Sequence, residues 1–172
     1  MKLRIFSWLL FILPLCGCGV YSFTGASISP DVKTIPIQNF YNNAPLGPSN
    51  MSVVFSEKLR DYFQQNTSLS FVDRNGDLQF EGYIDNYTIN PVGANSSGNN
   101  RDVDFAQLSR ITITVQATYV NITDDQFDFE KKFSFFKDYD QSLDLSSNEE
   151  AFVEEIFDQI VIDIFNASVA NW

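Results

Sequence analysis

Histidine is absent from the 172 residues, and cysteine occurs only at positions 16 and 18. The first absence removes the usual general base, the Ser-His-Asp triad and the commonest metal ligand. The second confines thiol chemistry to the extreme N-terminus and leaves no Cys-based metal set. Cations are also scarce: 11 Lys and Arg stand against 22 Asp and Glu, for a net charge of −11. So acidic a chain repels nucleic acid, whose binding depends on neutralising phosphates. Residues 73–77 have acids flanking an Asn-Gly pair, but not the spacing or bidentate Glu of a calcium loop, and read as a hairpin turn. No nucleophile–base pair is recognisable. The expectation is a non-enzymatic protein without cofactor or metal.

What is present starts at the N-terminus. Lys2 and Arg4 precede an apolar run over 5–15, and Leu15, Cys16 and Gly17 lead into Cys18. A charged start, an apolar stretch, small residues and then cysteine form an export signal that ends in lipidation of Cys18. The run falls short of the roughly 20 residues a membrane-spanning helix needs. Cys16 is the poorer candidate, because Pro14 and Leu15 would precede it. Residues 1–17 are therefore a lipoprotein signal peptide, 18–30 a lipidated tether and 31–172 a single domain. Cleavage removes Cys16 and acylation consumes Cys18, which leaves no disulfide. No run of Asp, Glu or Lys follows Cys18, which fits a protein facing the periplasm.

Residues 32–40 read as a first strand, on an edge because Pro36 lacks a ladder donor. A loop over 41–48 follows. Met51, Phe55, Leu59, Tyr62 and Phe63 share one arc of a helix over 50–65, capped by Ser49 or Asn50. A short strand spans 69–72. The strand over 78–90 changes parity between Ile84 and Tyr87, which calls for a bulge near Asp85 and Asn86. Residues 93–104 are a long polar loop. Leu108–Asn121 alternates most cleanly, with Ile111, Ile113, Val115, Ala117 and Tyr119 on one face and threonines and Gln116 on the other. Residues 127–139 return with Phe127, Phe129, Phe133 and Phe135 aligned. Ser147 and Glu150 make a capping box for a last helix over 148–170. The expected fold is α+β: a two-layer α/β sandwich, with a mostly antiparallel sheet of four to five strands covered by two helices.

Several features have two readings. The threonine-rich face is either solvated sheet or a docking surface. Asp163 sits at the margin of the last helix's apolar arc or pairs with a lysine. Ile162, Phe165, Val169 and Trp172 fall off that arc, and either form a contact surface or pack against the tether. Arg74, Arg101 and Arg110 stand in or beside loops at sheet ends, where they are solubilising or bind phosphate bidentately.

The segments beginning Cys18-Gly-Val-Tyr-Ser-Phe, Leu78-Gln-Phe-Glu-Gly-Tyr-Ile and Leu108-Ser-Arg-Ile-Thr-Ile, with the strand over 32–40 and the ending Val169-Ala-Asn-Trp172, together resemble the LptE family of lipopolysaccharide-assembly lipoproteins in its Bacteroidetes-type form. The resemblance implies an outer-membrane lipoprotein facing the periplasm that plugs an LptD-like β-barrel and assists lipopolysaccharide transport. As arginines in or beside loops, Arg74, Arg101 and Arg110 are the candidate contacts to lipopolysaccharide or the partner. The alternative is a solitary envelope lipoprotein that binds a ligand or stabilises the envelope.

Overall fold

The computed structural model describes residues 28–92 and 108–170. Cys18, the 93–107 segment with Arg101, and Trp172 lie outside the described residues. The described elements are β1 (Thr34–Ile35), β2 (Tyr41–Asn42), α1 (Met51–Asn66), β3 (Ser70–Phe71), β4 (Leu78–Val92), β5 (Leu108–Asn121), a 3-10 turn (Asp125–Phe127), β6 (Phe129–Asp140) and α2 (Leu145–Ser168). Strands β4, β5 and β6 form an antiparallel meander, and β2 joins β4 in parallel, in the order β2-β4-β5-β6. β1 and β3 make a separate parallel pair. Both helices lie on one face of the larger sheet, against each other and against its strands. This is the expected α+β sandwich with a mostly antiparallel sheet, to which β2 adds one short parallel pairing.

Strand β5 is the spine. Ile111, Ile113, Val115 and Ala117 are fully buried, and Tyr119 is nearly so. The β4–β5 register shifts between Ile84 and Asn86, which makes Asp85 the extra residue. That bulge turns Tyr87 into the core, where it is 1% exposed. Gly82 is required by packing: a Cβ there would meet Gln116 O at 2.2 Å and Phe40 Cε1 at 2.5 Å. Between the helices, Phe55 sits edge-on to both Phe40 and Phe157, at 4.9 and 5.0 Å between ring centroids. Such pairs contribute about 0.5–1.5 kcal/mol beyond their buried area.

Five expectations are corrected. The first strand is split: Pro36 breaks it after Ile35, Ile37 makes a single bridge to Phe80, and β2 forms where a loop was expected. The 73–77 turn is not a hairpin, because β3 and β4 belong to different sheets. Asn50 does begin α1, but with no side-chain cap, since its backbone (φ −88°, ψ 1°) is not extended. Helix α2 starts a turn early: Asp144, a charged acceptor, takes hydrogen bonds from Ser146 N and from the Ser146 and Ser147 hydroxyls, so Ser147 is inside the helix. Phe127 sits in the 3-10 turn, 45% exposed, because Asp128 accepts from Asn121 N and ends the connection there.

Phe165 and Val169 are buried rather than forming a contact surface. Helix α2 has two surfaces to cover, the sheet and α1, so its apolar arc is wider than one neighbour requires. Phe165 packs on Tyr62 and Phe63 of α1, with ring centroids 5.1 and 5.0 Å apart. Asp163 is partly buried and accepts from Gln159 Nε2 at 3.0 Å, not from a lysine.

Candidate functional site

With both helices on one face, the other face of the β2-β4-β5-β6 sheet carries no layer among the described residues. The ladder register fixes its rows. Glu81, Thr118 and Glu130 stand side by side; next come Tyr83, Gln116 and Lys132, with Tyr41 beside Tyr83. Then come Asn86, Thr114 and Ser134, followed by Thr88, Thr112 and Phe136, and last Asn90, Arg110 and Asp138. These are the even-numbered residues of β5, the threonine face read from the sequence.

The face is polar but organised. Lys132 Nζ reaches the bulged Asp85 at 2.8 Å, across the intervening strand β5. Thr114 Oγ1 and Ser134 Oγ lie 3.1 Å apart, and Ser134 Oγ donates to Ile113 O at 3.2 Å. At one end Arg110 donates two hydrogen bonds to Asp138, at 2.6 and 2.8 Å. Its guanidinium carbon stands 3.7 Å over the Phe136 ring. Arg110 holds the Asp138 carboxyl below the usual carboxylate range. Tyr41 and Phe136 are 72% and 43% exposed, so the face presents rings among hydroxyls and amides.

The three candidate arginines do not form one site. Arg110 is near the β4–β5 connection, which leads into the segment containing Arg101. Arg74 belongs to the β3–β4 connection at the opposite end of the sheet. Arg110 is also committed to Asp138, whereas Arg74 makes no ion pair among the described residues. Sequence reasoning missed Asp138 and Phe136 as Arg110's partners. Pairing β5 with β6 about the turn at 122–128 would have placed Arg110 and Asp138 opposite one another.

A family model described as LptE, lipopolysaccharide-assembly, matches residues 32–168. The chain belongs to the LptE family. No curated protein matches it in sequence. Among solved structures, it is similar to the rare lipoprotein B from Shewanella oneidensis, with a TM-score of 0.50, 14% identity, and coverage of 78% of this chain and 92% of that one. It is equally similar to the hypothetical protein CT253 from Chlamydia trachomatis, with a TM-score of 0.50, 12% identity, and coverage of 79% and 97%. At these identities the likeness is one of fold. No described helix is long and apolar enough to cross a membrane.

Proposed function

We propose that this LptE-family chain is an outer-membrane lipoprotein that plugs and assists an LptD-like β-barrel in lipopolysaccharide transport. The observation that carries the proposal is the family match over nearly the whole folded domain. Acylation of Cys18 would hold the body at the membrane's periplasmic surface; multiple acyl chains exceed the two signals needed for stable anchoring. The uncovered sheet face supports the plug reading. Its threonine, serine and amide groups hydrogen-bond readily to the polar inner wall of a barrel, and Tyr41 and Phe136 supply apolar contact. Arg110 stands at the end of that face and would meet the partner or lipopolysaccharide there.

Affinity purification of the full-length, lipidated chain from outer membranes tests the reading. A large β-barrel should co-purify in near-stoichiometric amount, and depletion of the chain should leave lipopolysaccharide on the periplasmic side. A chain recovered alone, with normal lipopolysaccharide export after its depletion, would make it a solitary envelope lipoprotein.

A further inference from the structure

The chain enters its folded body at one end of the sheet. Ser29 O accepts from Val32 N, and the next two amides, of Lys33 and Thr34, donate to Asp77 at 2.8 and 2.9 Å, one residue before β4 begins. Asp77 O in turn accepts from Ile122 N at 3.0 Å, just past the end of β5. The start of the domain and the 122–128 turn therefore share this entry end. Leu143 follows β6 at the opposite end, where Asp140 stands beside Leu108.

The 122–128 turn holds two apolar side chains out from the body: Ile122 is 62% exposed and Phe127 45%. The backbone around them is fixed. Asn121 Oδ1 accepts from Thr123 N and Asp124 N at 3.0 and 3.4 Å, Asp124 Oδ1 from Gln126 N at 3.1 Å, and Asp128 Oδ1 from Asn121 N at 2.7 Å. The turn is thus ordered before any contact forms, which lowers the cost of binding. Asp124 and Asp128 are engaged with N–H groups of the turn and its flanks, and the turn contains no Lys or Arg.

Tether length selects what these side chains meet. Cys18 precedes Ile28, the first described residue, by ten residues, so a lipid on Cys18 keeps the entry end within about 36 Å of the bilayer even at full extension. Strand β5 alone has 14 residues and spans about 45 Å. With the strands upright, the entry end reaches the surface and the opposite end does not. We propose that the 122–128 turn is a membrane-contact tip, with Ile122 and Phe127 dipping into the interfacial layer of a zwitterionic phospholipid surface, the leaflet that holds the acyl chains. The anchor already confines the tip near that surface, so a small apolar contact suffices. Carboxylates without a cation oppose anionic lipid and suit the ammonium groups of zwitterionic head groups. The inference rests on acylation of Cys18 and does not depend on a barrel partner.

The full acylated chain in phosphatidylcholine nanodiscs, with a spin label on the lipid just below the head group, tests this by NMR. Mass spectrometry first establishes the acyl groups; a chain without them would overturn the lipoprotein reading and this inference together. With acyl groups present, the signals of Ile122 and Phe127 should broaden while that of Leu143 stays sharp. Ile122→Ser combined with Phe127→Ser should lose the broadening at Thr123. Both side chains are exposed, so the double variant leaves the core intact. Adding phosphatidylglycerol to the discs should weaken the contact. Four results would overturn the inference alone: no broadening at the turn, broadening at Leu143 instead, broadening that survives in the double variant, or shifts at the turn that follow protein concentration rather than lipid, as a second copy would produce.

Discussion

Tyr87 donates its hydroxyl hydrogen to Glu149 at 2.6 Å, and so ties β4, just past its bulge, to the first turns of α2. The extra residue at Asp85 points Tyr87 inward. A carboxylate near a helix N-terminus is favoured by the helix dipole. Tyr87→Phe keeps the ring and loses the bond. It should cost about 1–3 kcal/mol, as a hydrogen bond to a charged acceptor does. Urea unfolding should show a lower midpoint with an unchanged slope.

The same tyrosine, with Tyr119, sets an alkaline limit. Burial is the main cause that pushes both phenols up, Tyr119 to about 12 from the ordinary 10.0. The folded state thus favours the protonated form of each. Their contribution is complete below pH 10.0 and is lost as the pH rises through about 12 for Tyr119, and higher for Tyr87. Absorbance titration should show two of the seven tyrosines ionising late, with unfolding or after it. Seven normal titrations with the fold intact would contradict the assignment.

The elements readable from the sequence are those whose partners impose one periodicity. β5 is buried on one face along its whole length, so its alternation alone places it, and the parity change in β4 gives the bulge to within two residues. Other features depend on contacts far away in the chain. The Pro36 break becomes two strands only because β3 and β4 offer separate edges. Asp144 captures the start of α2 from Ser147 because a carboxylate accepts from three donors where one hydroxyl cannot.

Asp77 provides a test of that long-range order. Its carboxyl is held below the ordinary 3.8, chiefly by the hydrogen bond from Lys33 N and then by those from Thr34. Its contribution is present above pH 3.8 and fades as the pH falls through the depressed value. Asp77→Asn should speed amide exchange at Lys33 and Thr34 and leave Ile113 protected. Uniform loss of protection would mean that β1 is not a separately anchored edge.

Core packing should be unforgiving at the helix–sheet interface. Phe157→Ala removes a fully buried ring seated on Phe55 and should cost about 3–5 kcal/mol. Gly82→Ala adds only a methyl, yet both Gln116 O and the Phe40 ring must give way, and it should cost about 1–3 kcal/mol. Thermal unfolding checks both. A neutral Gly82→Ala would show that the β4–β5 backbone and Phe40 yield together.

The central claim is that a lipid-anchored body works by setting its uncovered sheet face against a barrel. The most direct measurement is photocrosslinking in living cells from Thr112, on the inner strand β5 of that face, with and without Cys18→Ala. The account predicts one adduct with a large outer-membrane β-barrel, strongly reduced when Cys18 is lost. A folded, lipidated chain that gives no barrel adduct from Thr112, or the same adduct without Cys18, would contradict it.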